Sequence, residues 1–294
     1  MIGRRERRWA EATHNLERAC ELDPRNIPYV ITVATTYLWL RDYDQMIRGI
    51  DRIISLAPDR NKPRIIRASI ELDRRANTQP LRAAIEKALT DEPGSAEDPF
   101  VVGNRLDLDL CDRELDAAAS IAAALPLKQT LDAGFDEGSR DFWLGVVARL
   151  KGDSVAARAA FTRVRADLEE AMRVHPDDIP ATEMMHLLSH LGLIDAALGR
   201  KEEALSEGRR AVELVPMAEE AMFGSYNNEG RVKTNFGMIC AWLGETDLAL
   251  EQLDAVTKIP GGPSYGVLRL NPMWDPLRGD PRFEKIVASL APKK

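Results

Sequence analysis

Glu183, His186 and His190 stand three and four residues apart, a spacing that brings three side chains towards one face of a helix. Two imidazoles and a carboxylate so placed could hold a metal ion. The zinc-protease pattern His-Glu-x-x-His is absent, because His186 is followed by Leu187 and Leu188. The same face could instead offer hydrogen bonds to a peptide, with His175 a helix boundary away. A second cluster, Asp107, Asp109, Asp112, Glu114 and Asp116, invites a calcium reading. It lacks the sharp-turn glycine and the terminal bidentate glutamate of an EF-hand loop, and reads as a solvated helix end. The run from Gly224 to Thr234 contains Lys233 but not the Gly-x-x-x-x-Gly-Lys-Ser/Thr spacing that cradles phosphates. Nucleophile elbows and paired carboxylates in glycine-rich turns are missing too. No catalytic residue, metal or cofactor is assigned. A helical metal protein or enzyme using Glu183, His186 and His190 is the alternative to a binding module.

Such residues need elements to position them, and composition says which. Across 294 residues, 45% are hydrophobic, 30% charged and 6% aromatic, enough apolar surface for a core. The 19 glycines and 17 prolines exclude a collagen-like or low-complexity chain. Acidic residues number 47 against 40 basic, for a net charge of −7. The one basic cluster, Arg4, Arg5, Arg7 and Arg8, surrounds Glu6, so no nucleic-acid partner is expected. Cys20, Cys111 and Cys240 are far apart and fall in helical patterns, as small buried residues of a reducing cytoplasm would. No apolar stretch follows the charged N-terminus. The most apolar run, 117–127, contains Ser120 and Pro126 and is too short to span a bilayer. A cytoplasmic location without a membrane partner is the expectation.

Three phrases repeat: ERACELDPRN, DRIISLAPDR and GRRAVELVPM, with prolines at Pro24, Pro58 and Pro216. Pro24 and Pro58 lie 34 residues apart, and Pro93 follows 35 later. Between them small residues recur where two helix backbones would approach, beside larger ones that would fill the gap. Ala34 stands with Tyr37 and Tyr43, Gly145 with Ala157 and Phe161, Gly192 with Ala204 and Ala211, and Gly237 with Ala249 and Val256. On this pattern the chain resembles the tetratricopeptide repeat family. The resemblance implies an all-α, right-handed superhelical solenoid of antiparallel helix pairs, acting as a protein-interaction scaffold.

In that frame residues 1–126 form an N-terminal block, 127–137 a connector, 138–260 a C-terminal block, and 261–294 an irregular crossing segment with a capping helix. Trp9, Ala12, Leu16, Ala19 and Pro24 occupy second-helix positions, so the first block opens with a half unit, as if continuing a longer protein. The helix after Gly152 is expected from Ser154 to Val174, and Pro216 is expected to end another. Asp280 and Pro281 form a helix start, with Phe283, Ile286, Val287 and Leu290 on one apolar face. The phrase LNPMWDPLRGDPRFEKIVASL resembles the ending of tetratricopeptide arrays in bacterial multidomain signalling proteins, where a serine/threonine kinase, nucleotide cyclase or winged-helix domain precedes the repeats.

Solenoid curvature makes a concave groove lined by the first helix of each pair, suited to a peptide or partner domain. In the second block the groove positions expected to bind a partner are Phe142, Trp143, Arg149, His186, His190, Arg231, Asn235 and Trp242. Arg231 and Asn235 are the donors for a peptide backbone or carboxylate. Chaperone-tail-binding members of the family use a clamp of lysines, arginine and asparagines. Here Phe142 and Val146 fill the places of its leading lysine and asparagine.

Overall fold

The computed structural model describes residues 8–125, 140–174, 179–221 and 228–292. The connector 127–137, His175 and most of the N-terminal arginine cluster lie outside the described residues. Every regular element among those described is helical.

A leading helix α1 (Trp9–Leu22) is followed by six antiparallel pairs. They are α2 (Ile27–Trp39) with α3 (Tyr43–Leu56), α4 (Asn61–Arg75) with α5 (Gln79–Asp91), and α6 (Pro99–Cys111) with α7 (Leu115–Ala124). Then come α8 (Arg140–Leu150) with α9 (Ser154–Val174), α10 (Ala181–Leu198) with α11 (Lys201–Ala221), and α12 (Asn228–Trp242) with α13 (Thr246–Thr257). A short helix α14 (Tyr265–Leu270), a 3-10 turn (Pro272–Leu277) and α15 (Pro281–Ser289) close the chain. This is the all-α array of consecutively packed helix pairs that the sequence pattern predicts.

Side-chain caps start several of these helices. Asn26, Asp42, Asp98 and Asp280 accept hydrogen bonds from Tyr29, Gln45, Phe100 and Arg282 backbone N–H groups. Within pairs, the small residues sit where helices cross. A Cβ on Gly145 would stand 3.0 Å from the Phe161 ring, so the pairing of those two residues holds α8 against α9. Helix α9 has the expected extra length. Helix α11 departs from expectation, because it continues past Pro216 to Ala221. A proline removes one backbone hydrogen bond, and the 21-residue helix continues through that loss.

The six turns within pairs share one backbone feature. Each contains a residue in the left-handed region: Arg41 (φ 55°), Ala76 (55°), Arg113 (64°), Gly152 (78°), Gly199 (78°) and Gly244 (77°). Glycine adopts this conformation without strain, whereas a side chain disfavours it by about 1 kcal/mol or more. The second block uses glycine at all three turns and the first block at none.

The closing segment explains two of those exceptions. From the end of α13 it runs along the C-terminal ends of α2 and α4 to the turn after α6. Arg41 donates to the carbonyls of Thr257 and Ile259, and the Gly261 N–H donates to Trp39 O at 2.8 Å. Ser264 Oγ caps α14 at Val267 N and donates to Asp73 at 2.6 Å. Gly266 packs so tightly on α4 that a Cβ there would stand 1.8 Å from Leu72 O. Arg113 forms a two-bond pair with Asp275. Part of the crossing segment expected to be irregular is therefore the short α14, packed on α4, and the 3-10 turn, packed on α12. Helix α15 packs on α13, with Phe283, Ile286 and Val287 buried. The blocks also meet directly, since Val147 on α8 is buried against Leu106, Leu110, Ala118 and Ile121.

Candidate functional site

Two faces carry candidate function, and their chemistry differs. The first is the second-block face expected from the sequence. The structure brings its eight residues onto three neighbouring helices: Phe142, Trp143 and Arg149 on α8, His186 and His190 on α10, and Arg231, Asn235 and Trp242 on α12. Phe142 is buried, its ring edge-on to Trp143 and Phe161 and 6.0 Å from the buried His190. Arg231 Nη2 lies 3.0 Å from both ring nitrogens of His186. Asn235 Nδ2 donates to Ser189 Oγ at 3.0 Å, and the Arg149 guanidinium stacks 4.8 Å over the Trp242 ring. Trp242 Nε1 donates to the Met273 carbonyl at 2.9 Å, which places the closing 3-10 turn against this face.

Those contacts satisfy polar groups inside the chain. Burial, and then the charge of Arg231, lowers the His186 pKa to about 4, and the same causes lower His190. Both rings are therefore neutral at physiological pH. A neutral imidazole can ligate a metal, but the guanidinium seated against His186 opposes a dication there. Among the described residues no group of three His, Cys, Asp or Glu side chains is spaced to hold a metal ion.

Behind this face lies a buried acidic pair. Asp195 on α10 is fully buried and accepts from Arg165 Nε at 2.6 Å, with Arg200 Nε at 3.5 Å. Glu207 on α11 stands beside it, pushed up to about 8 by burial and by the Asp195 charge. Glu207 Oε2 is buried without a hydrogen-bond partner. A protonated Glu207 against an ionised Asp195 fits this geometry. The network ties α9, α10 and α11 together.

The second face was not expected. A cavity of about 780 Å³ lies in the first block, lined by α2, α4 and α6, the first helices of three consecutive pairs, and by Met46, Ile50 and Ile53 of α3. Its apolar wall includes Ile27, Ile31, Ala34 and Leu38 of α2, Ile66 of α4, and Phe100 and Val101 of α6. Polar side chains Ser69, Asp73 and Asn104 break that wall, and Asp59, Arg60, Lys62, Glu92 and Asp98 rim it. Ile31 is 48% exposed, and Tyr29 on the same helix 43%. Burial pushes the half-buried Asp73 carboxyl up to about 6, against the opposing effect of the Ser264 hydrogen bond.

A signal for this groove was present in the sequence. Helix α2 reads IPYVITVATTYLW, apolar nearly all the way round. A helix with two apolar faces buries one in the core, here through Val30 and Tyr37, and leaves the other needing cover. On α4, Lys62, Ile66, Ser69 and Asp73 follow one face at helical spacing. Which apolar stripe meets the neighbouring pair, and which faces the cavity, depends on how the helices cross.

No family profile and no curated protein sequence matches this chain. Two solved helical-repeat proteins are similar to it in structure. PilW, a widely conserved type IV pilus biogenesis factor, aligns at 18% identity and a TM-score of 0.47, over 79% of this chain and 94% of that one. Yeast Tom70 aligns at 15% identity and a TM-score of 0.27, over 98% of this chain and 66% of that one. At such distances neither protein's role carries over, and the fold rests on the helix pairing itself. No helix among the described residues is long and apolar enough to cross a membrane.

Proposed function

We propose that this chain is a non-catalytic protein-interaction module whose first-block groove takes an extended segment of a partner protein. One observation carries the reading: three consecutive first helices, with α3, line an apolar cavity with half-exposed Ile31 in its wall and charged residues among its lining. Repeat curvature makes such surfaces, and an extended segment suits them because alternate side chains can enter the apolar wall. The second-block face is the other candidate, since Arg231 and Asn235 lie one helical turn apart and half-buried.

Selection of peptides from a displayed random library on the immobilised chain tests this. Peptides enriched on the parent protein are expected to lose at least about tenfold in affinity on Ile31→Glu, a change at an exposed position that leaves the fold intact. They are expected to keep their affinity on the double variant Arg231→Ala with Asn235→Ala. The reverse pattern moves the site to the second block. Failure to enrich any peptide that depends on either face removes the reading.

A further proposal concerns context: the chain serves as the sensory or scaffold part of a larger bacterial signalling protein. The resemblance of the phrase from Leu270 to Leu290 supports it. Genomic sequence upstream of Met1 tests it, and a stop codon in frame just before a short-gene start would overturn it.

A further inference from the structure

The groove is asymmetric in charge. Four carboxylates belong to it, Asp59, Asp73, Glu92 and Asp98, against two cations, Arg60 and Lys62. Elsewhere carboxylates are commonly paired, as in Asp51 with Arg67, Asp44 with Arg74, and Asp112 with Arg82. Among the described residues none of the four groove carboxylates forms an ion pair within 4.0 Å, although Asp59 and Glu92 share a neighbouring crevice with Arg64 and Lys87. Asp98 spends one oxygen on the cap of α6, and Asp73 accepts only a hydroxyl from Ser264. Lys62 is turned towards the Phe100 ring, with its ammonium 4.5 Å from the centroid.

Asp73 is placed differently from the other three. It lies near the C-terminal end of α4, where the helix dipole adds partial negative charge and favours a cation. The crossing segment meets it through the Ser264 hydroxyl. The other three acids stand at the opposite end, around the N-termini of α4 and α6. Between the two ends, α2 presents Ile27, Ile31, Ala34 and Leu38 over eleven residues, roughly 16 Å of helix. An extended chain covers that length in about five residues.

Resting on the peptide-binding reading above, we propose that the first-block groove selects a partner segment of about five extended residues, apolar along α2 and ending in a basic side chain that pairs with Asp73. An arginine fits best, because its planar guanidinium can meet the free Asp73 oxygen while its stem lies along the apolar wall. An acidic residue at the same end would face an unpaired carboxylate and a helix C-terminus together.

Calorimetric titration of the full chain with blocked heptapeptides tests this. The probes share alternating leucines and carry arginine, its neutral isostere citrulline, or glutamate at one end, with both end placements made. The arginine peptide is expected to bind about tenfold tighter than the citrulline peptide, as a charge-assisted hydrogen bond requires, with glutamate weakest. Asp73→Asn keeps an acceptor for Ser264 and is expected to bring arginine and citrulline within about twofold. Equal affinities for arginine and citrulline on the parent protein overturn the proposal, as does a preference that survives Asp73→Asn. If in either case binding still falls on Ile31→Glu, the peptide groove stands and only its basic selectivity is lost. Absence of binding by all three probes up to about 1 mM overturns both.

Discussion

Arg113 donates two hydrogen bonds to Asp275, Nη1 to Oδ2 at 2.6 Å and Nη2 to Oδ1 at 2.8 Å, from a backbone with φ 64°. The corresponding turns of the second block carry glycine, for which that conformation is easy. Arg41 makes the same trade two pairs earlier, reaching the Thr257 and Ile259 carbonyls from φ 55°. Both side chains hold the closing segment, and both sit where the repeat would otherwise favour glycine.

The two clasps differ in worth. Arg113 and Asp275 are 43% and 40% exposed, so their pair contributes about 0–1 kcal/mol, no more than left-handed strain costs. Arg113→Gly is therefore expected to leave stability within about 0.5 kcal/mol of the parent. Arg41 is less exposed and bonds to main-chain carbonyls, so Arg41→Gly is expected to destabilise by about 1–2 kcal/mol despite the relief of strain. Urea denaturation of both variants decides, and equal losses would show that burial does not separate them.

Glycine at a close approach behaves differently from glycine in a roomy crossing. A Cβ at position 266 would stand 1.8 Å from Leu72 O, a main-chain atom that cannot move alone. At Gly237 the nearest atom is 3.6 Å away, an ordinary contact. Gly266→Ala is expected to destabilise by about 1–3 kcal/mol and to raise hydrogen exchange in α14. Gly237→Ala is expected to be neutral, or to stabilise by up to about 1 kcal/mol through helix propensity. Thermal melts of the two variants check the contrast.

Stability should decline on the alkaline side through one proton. Glu207 in the folded chain titrates near 8, above its ordinary value of 4.5, so the native state holds a proton that the unfolded chain has released. That contribution is complete below about pH 4.5 and is lost as pH rises through about 8. Glu207→Gln is expected to flatten the fall in melting temperature between about pH 5 and 9, because the amide replaces the protonated acid beside Asp195. An unchanged slope would place the titrating group elsewhere.

Removing residues 264–294 takes away Leu268, Trp274 and Phe283, all fully buried, and uncovers α13 and the end of α4 together. Aggregation or partial melting is expected, since terminal units of a repeat array depend on their caps. A truncated chain that stays monomeric with an unchanged melting temperature would show that the closing segment is not a cap.

The sequence by itself determined the units. Helix length, turn position and the small-against-large pairing of Gly145 with Phe161 follow from local spacing, since each involves residues within one helix pair. The C-terminal helix was legible for the same reason, through the Asp280 cap and the Phe283, Ile286 and Val287 stripe. What only the tertiary structure decided is which faces remain open. Trp242 donates to a carbonyl 31 residues away, Arg41 reaches across 218 residues, and Ser264 meets Asp73 across 191. No local pattern encodes such contacts, because they depend on rotations accumulated over six stacked pairs. They place the closing segment against the second-block face, and they leave Ile31 and Asp73 lining a groove that no sequence pattern singled out.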